Sequence, residues 1–523
     1  MSSTEPPDPP DPPEDAGHHR PFRRRLLLNT ASVGVANGWA MVTALISLPL
    51  VLRGLGPTAF GLWALLQTFS AVGGWFSLLD LGLSTATTRE VAHRHALGDE
   101  PGIGTAIGSS LLMLTGLGLL CSVLLVALGP ALFDGLFDTP SSLEHAMAVA
   151  IGAFSVQVLL DLVCGGLQAV LDGFQRVDLG RAVDIVRRTL VAVATSVAAL
   201  VTEDLGKVAI ASAAAVAVST AVGALVAARV ARGHRPRFEA ATARSLLAYG
   251  KTVAVLRPLG VLHRSIDRFV VGAILGPAAV SLVEVATQLA NGADAVLAAS
   301  SYSVVPSAAR LHAHGEQGKL RELTLVGTRY VLLVTWPVAV LVAVLAGPAI
   351  DIWVGSEFAA AATLTALAAL AIAVVAPVQV GSNLLLGTGR AGSILRVALA
   401  GIAVNVVLSV ALVHAIGVDG AFWATVASAA VTLPLLFLAT RDAIELPARP
   451  FWVEAVGRAL PTPVLAGIGA GLVVLAPLGS WATLIVGGCL GGAGALVGAA
   501  AWGLSPDERR AISRRAGKLL RRG

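Results

Sequence analysis

Arg257, Arg264 and Arg268, with Asp267 among them, stand in a stretch whose other residues are apolar enough to enter a membrane. At 100° per residue the three arginines fall within about 20° of one line, over roughly 16 Å of helix. Charges at membrane depth are costly, and they face a bundle interior or a water-filled cavity. Guanidinium forks match phosphate oxygens two at a time and stay charged when partly desolvated, so this stripe suits an anionic headgroup. The competing reading is neutralisation. Residues 279–305 offer Glu284, Thr287, Gln288, Asn291 and Asp294 on one broad face. A hairpin between the two segments sets Arg268 level with Glu284 and Arg257 level with Asp294. Both readings can hold together, with substrate displacing one partner.

Other polar residues at depth are fewer. Asp161 shares a face with Gln157 and Gln168, a pattern open to an ion or proton relay or to an interhelical hydrogen bond. Asp80, in SLLDLGLS, sits near the cytoplasmic mouth, as a gate or a helix-end charge. His93, His95, His312 and His314 lie in basic loops without HExxH-like spacing, and no P-loop is present. Cys121, Cys164 and Cys489 fall inside apolar spans and read as packing residues. Neither a catalytic group, a metal site nor a cofactor is indicated.

The elements that must hold these residues are transmembrane helices. With 523 residues, 55% hydrophobic, 13% charged and a mean hydropathy of +0.79, the chain cannot solvate its own surface in water. Runs such as 117–132 and 332–346 do not alternate, which excludes β-barrel strands. The expectation is an all-α integral membrane protein with about fourteen spans: 28–52, 60–83, 106–132, 147–171, 183–202, 207–228, 248–275, 279–305, 325–347, 359–386, 393–416, 419–440, 459–477 and 481–503.

The net charge of +5 taken alone points to nucleic acid, but the basic residues cluster on alternate sides, Arg176 to Arg188 among them. The opposite side carries acids and only Arg53 and Lys207. That places both termini in the cytoplasm and makes nucleic acid no partner. Arginine outnumbers lysine 33 to 4, a composition typical of GC-rich bacterial genomes.

Residues 1–25 read as a disordered proline-rich tail with a basic collar, and 505–523, opening on a Ser505 cap and Pro506, as a basic amphipathic tail. Between them an internal repeat is visible. LGPTAF at 55–60 returns as LGPAAV at 275–280, LGPALF at 128–133 as AGPAID at 346–351, and LDGFQR at 171–176 loosely as LGTGR at 386–390. An offset of six spans makes the halves parallel repeats with a site between them. The expected domains are 26–235 and 236–442, six helices each, and 443–504, two further helices.

NTASVGVANGW, LPLVLRGLGPTAFGLWALLQTFSAV, LLDLGLSTATTREVA, YGK at 249–251 and SIDRFVVGAILGPAAVSLVEVATQLA occur in that order. This series resembles polysaccharide-repeat flippases of the Wzx type, in the multidrug/oligosaccharidyl-lipid/polysaccharide exporter superfamily, over roughly residues 26–440. The resemblance implies a V-shaped two-lobed transporter in a bacterial plasma membrane. It would move an undecaprenyl-diphosphate-linked oligosaccharide outward by alternating access, without ATP hydrolysis, for cell-surface polysaccharides such as O-antigen. Its cavity would be lined by helices 1, 2, 7 and 8. On this sequence that assigns Asn37, Gln67, Gln288, Asn291 and the three arginines to substrate. Glu284, Asp294, Asp267 and Asp161 become ion-coupling groups or charge partners, and Asp80 and Arg53 gating residues. Partners would be the lipid-linked oligosaccharide and membrane lipids, with a polymerase and glycosyltransferases nearby. The first span departs from lipid II flippases by lacking arginines. Two rivals remain: a drug or cation exporter of the same superfamily, which aligned arginines disfavour, and a membrane glycosyltransferase or polymerase, for which the external loops are short.

Overall fold

The LGP turn that recurs in the sequence also recurs as a backbone conformation. A computed structural model of the chain describes the backbone of residues 19–254, 257–504 and 508–510, with side chains from residue 32 onward except 251–260 and 262–264. Gly56, inside α1 (His19–Gln67), has φ 72° and ψ 168°; Gly276, between α8 (Arg257–Leu275) and α9 (Pro277–Ser301), has φ 81° and ψ 173°. Only glycine adopts this region without strain, and the proline that follows pre-sets the next helical turn. A second pair of sequence twins also matches. Gln175 (φ 58°) and Gly389 (φ 76°) each end a helix in the left-handed region. The amides of the next residues, Arg176 and Arg390, donate five residues back to the carbonyls of Leu171 (2.9 Å) and Leu385 (2.8 Å).

The remaining helices overlie expected segments, except the short ones at 83–97, 304–313 and 346–353, which fall almost wholly between them. They are α2 (Leu83–Leu97), α3 (Glu100–Gly135), α4 (Glu144–Gly173), α5 (Val177–Thr202), α6 (Leu205–Val230), α7 (Ala240–Ala254), α10 (Val304–Ala313), α11 (Gln317–Val344), α12 (Ala346–Trp353), α13 (Ala361–Gly387), α14 (Ala391–Ile416) and α15 (Asp419–Ile444). Two last helices, Pro461–Val474 and Ser480–Gly498, pair with each other and lie on α11 and α12. No strand occurs among the described residues. One group of helices packs α1 on α5 and α4 on α3 and α6; a second packs α13 on α9, α11 and α15, and α14 on α8 and α15.

Eleven of the described helices are long and apolar enough to cross a membrane. The segments expected at 60–83, 248–275 and 279–305 are not among them, for different reasons. The first is not one helix: α1 runs to Gln67, the chain is irregular over 68–82 around a short turn at Trp75–Leu78, and α2 follows. Gly73, Leu81 and Gly82 all have positive φ there, and Trp75 N–H closes the loop on Thr68 O at 2.8 Å. The second segment falls on α7 and α8, between which residues 255 and 256 lie outside the described residues. The third contains α9, with 25 residues, whose Glu284, Gln288, Asn291 and Asp294 lower its hydropathy.

Two glycine contacts weld the helix groups together. A Cβ on Gly61 would sit 1.8 Å from Pro277 O, and one on Gly82 would sit 2.5 Å from Gly250 O. Backbone therefore meets backbone between α1 and α9, and between the irregular segment and α7. One apolar core runs through both groups, including Leu62, Leu65, Phe154, Val280, Val283 and Phe422. Outward faces are apolar too: Val123, Val201, Leu225 and Leu472 are exposed, as lipid-facing positions should be. Cys121 and Cys164 are buried as expected; Cys489 is exposed instead, because its helix covers the rest with only one face. The N-terminal tail to residue 18, the Ser505 cap, Pro506 and the tail beyond residue 510 lie outside the described residues.

Candidate functional site

Between the two helix groups lies a cavity of about 340 Å³, within the range of ligand pockets. Its first wall is α1, where small residues such as Ala44 and Ser47 leave room beside Gln67. The second is α4 and α5, which bring Gln157, Asp161, Arg187 and Arg188. The third is α8 and α9, which bring Arg268, Glu284 and Gln288. Ser70 and Val72 of the irregular segment complete the lining. Non-helical backbone at membrane depth is tolerated where it is buried in protein or lines a water-filled cavity, which accounts for the break.

The charges form two units. In the first, Arg187 Nη1 donates to Asp161 Oδ1 (3.0 Å) and its Nη2 to Asp184 Oδ1 (3.4 Å), while Arg188 Nε donates to Asp184 Oδ2 (2.8 Å). Asp161 is thus an interhelical ion-pair partner. The side chains of Asp161 and Arg187 are 3% and 12% exposed, whereas that of Arg188 is 34% exposed. Arg187 is consumed by its two carboxylates; Arg188 holds one with Nε and has both Nη groups without a partner among the described residues. In the second unit Arg268 Nε approaches Glu284 Oε2 at 2.8 Å. Neither atom has hydrogen-bond geometry, so the contact is ionic in distance but poorly directed. The three arginines are balanced by Asp161, Asp184 and Glu284.

Aromatic rings sit beside the cavity. Phe69 and Phe76 of the irregular segment pack at 6.0 Å, Phe69 reaches Phe133 at 6.3 Å, and Phe269 of α8 meets Phe137 edge-on at 5.2 Å and Trp75 at 6.0 Å. At the arginine-rich end Arg94 Nη2 donates to Thr242 Oγ1 (3.2 Å), and Arg89 lies over the Tyr249 ring at 4.5 Å. The helix groups therefore touch on both sides of the cavity.

Of the residues assigned from sequence, Gln67, Gln288, Asp161, Arg268 and Glu284 meet in this cavity, and Arg268 faces Glu284 as the hairpin required. Asn37, Asn291, Asp294 and Arg53 are exposed and do not line it. Asp80 is buried, and its Oδ1 accepts from Ser84 N (3.2 Å) and Oγ (3.0 Å) at the start of α2. Asp267 turns toward α14 and α15: its Oδ2 accepts from Thr425 Oγ1 (3.0 Å), which also accepts from Asn405 Nδ2 (2.9 Å). The buried Oδ1 atoms of Asp267 and Asn405 have no hydrogen-bond partner among the described residues. The side chains of Arg257 and Arg264 lie outside the described residues.

Sequence reasoning missed Arg187, Arg188 and Asp184. It counted Arg187 and Arg188 with the cytoplasmic charges at the start of the span expected at 183–202, but α5 begins at Val177, so Arg187 stands about 15 Å into the helix. Their signal was the spacing of acid, base, base at i, i+3 and i+4 in an otherwise apolar run.

Comparison with known proteins completes the description of the site. The polysaccharide biosynthesis protein family matches residues 50–363. Among solved structures, a lipid II flippase MurJ in an inward closed conformation aligns with TM-score 0.70 and 11% identity, covering 89% of this chain and 97% of its own. An inward-facing multidrug resistance MATE family transporter of the MOP superfamily aligns with TM-score 0.64 and 14% identity, covering 77% and 94%. A MATE in the bent conformation gives TM-score 0.56 and 16% identity, covering 80% and 96%. No curated protein matches the sequence significantly. With more than half its length matched, this multi-pass membrane chain belongs to the polysaccharide biosynthesis protein family and has the fold of MOP-superfamily transporters.

Proposed function

We propose that the chain is a flippase that moves an undecaprenyl-diphosphate-linked oligosaccharide from the cytoplasmic to the outer leaflet of a bacterial plasma membrane by alternating access. The observation that carries this reading is Arg188: a guanidinium in the cavity that is anchored through Nε and keeps its fork for a phosphate. Arg268, held by a poorly directed contact with Glu284, is the second phosphate ligand. Gln67 and Gln288 are donors for the sugar. Arg257 and Arg264 stay substrate candidates on their spacing in the sequence alone.

The balance of charges supports a transport cycle. An empty cavity with uncompensated arginines would resist closing, because a buried unpaired charge is strongly destabilising. With each arginine paired, the empty protein can change state. A diphosphate exchanges places with Glu284 as the partner of Arg268, so that binding is selective for charge without being so tight that release fails. Asp267, with the unpaired oxygen of Asn405 nearby, is the ion-coupling candidate, and Asp161 is the charge partner that holds Arg187. The sugar delivered serves surface polysaccharide assembly, where a polymerase and glycosyltransferases act before and after.

Asp161 and Glu284 in the lining favour the second reading, a cation-coupled exporter of small cationic molecules. Proteoliposomes separate the two. The flippase reading expects wild-type protein to expose a fluorescent undecaprenyl-diphosphate oligosaccharide to external quencher and not to move ethidium; ethidium transport without lipid translocation would select the exporter.

A further inference from the structure

We infer that the arginine-rich end of the last helix pair holds a binding site for an anionic phospholipid, separate from the transport cavity. The two helices there each carry a π-helical turn, Phe451–Val456 ahead of Pro461–Val474 and Ala499–Gly503 at the end of Ser480–Gly498. Such turns widen a helix and are common at functional sites. Gly498 fits against the backbone of Pro461 and Thr462. Between the turns opens a cleft of about 490 Å³, lined by Val453, Arg458, Pro461, Trp502 and Arg509 among others, with no carboxylate among the described residues of its wall.

The chemistry of this cleft differs from that of the cavity. Arg458 is exposed and makes no hydrogen bond or ion pair among the described residues; Glu454, one turn earlier, instead lines an adjoining cleft with Arg321 and Arg329. Among the described residues Arg509 donates to backbone carbonyls, from Nε to Leu504 O (3.1 Å) and from Nη2 to Ala501 O (2.5 Å), which ends the helix and fixes the guanidinium at the cleft mouth. Two cations with no carboxylate partner among the described residues match a phosphodiester. Trp502 in the cleft wall and Trp452 in the first π-turn are exposed, and amphipathic rings suit the headgroup level. Leu460, Val464, Leu496 and Val497 are exposed farther along the same two helices and give acyl chains an apolar surface. Headgroup charge, interfacial rings and an acyl track together select a lipid over a free anion.

Native mass spectrometry of the full chain released from detergent tests this. Wild-type protein should retain phosphatidylglycerol in preference to phosphatidylcholine, and millimolar inorganic phosphate should not displace it. Arg458→Gln should lower phosphatidylglycerol retention about tenfold, as loss of one charge-assisted contact would. Arg458→Lys should retain an intermediate amount, and Arg449→Gln, outside the cleft, should retain the wild-type amount. Equal retention by Arg458→Gln, indifference between the two lipids, or displacement by inorganic phosphate would each overturn the assignment.

Discussion

The two halves of the molecule repeat in backbone but not in charge. Gly56 and Gly276 share one turn conformation, so α1 and α8 are equivalent arms. Yet α1 brings Ala44 and Ser47 to the cavity, whereas α8 brings Arg268. The first half supplies its cations from α5, where Arg187 and Arg188 are locked to Asp161 and Asp184 on two helices. The second half holds Arg268 by a single, poorly directed contact. A repeat conserves the scaffold, and the walls can then diverge: one rigid cation cluster, one cation ready to change partners.

That contrast can be broken at its strongest point first. Arg187→Ala leaves Asp161 and Asp184 without their shared partner in a buried setting, at a cost on the order of 3–5 kcal/mol. Membrane abundance and thermal stability should fall steeply. The double variant Asp161→Asn, Arg187→Gln should recover abundance, because no charge is then stranded. Normal abundance of Arg187→Ala would show that the first cluster is not the rigid one.

Arg268→Ala removes a cation from the looser half, so abundance should hold while translocation falls by about tenfold or more, the value of one charge-assisted contact. Polymer export in a deletion strain, normalised to protein level, measures it. Glu284→Gln should do the opposite to binding: freed of its carboxylate, Arg268 holds diphosphate more tightly and releases it more slowly. Equilibrium binding and single-turnover release should move in opposite directions, and unchanged binding would show that Glu284 does not compete with substrate.

The smallest effect belongs to the lipid-facing surface. Cys489→Ser changes an exposed position away from both clusters, and both abundance and transport should stay at wild-type levels.

Much of this architecture was legible from hydropathy and from the LGP turn, because span length and a glycine with positive φ both leave marks in sequence. Pairing of Arg268 with Glu284 was legible for the same reason: one turn between two helices fixes their relative height. The break at 68–82 was not, since TFSAVGGWFSLLDLG is as apolar as a helix, and only Gly73, Gly74 and Gly82 hint that backbone conformation changes. Arg187 and Arg188 were hidden by the loop-charge pattern, which counts arginines near a helix start as outside it. Asn37, Asn291 and Asp294 were assigned from the helices they sit on, but helix identity does not fix which face meets the cavity.

The most direct measurement is translocation of a fluorescent undecaprenyl-diphosphate oligosaccharide in proteoliposomes by wild type, Arg188→Gln and Arg188→Lys, each at equal reconstituted density. When Arg188 is replaced its buried partner Asp184 keeps Arg187, so the loss of Arg188 reports on substrate and not on folding. Transport should be present in wild type, lost in Arg188→Gln, and partly restored in Arg188→Lys, which keeps the charge but not the fork. Wild-type transport by Arg188→Gln would contradict the claim that this cavity recognises a diphosphate through its arginines.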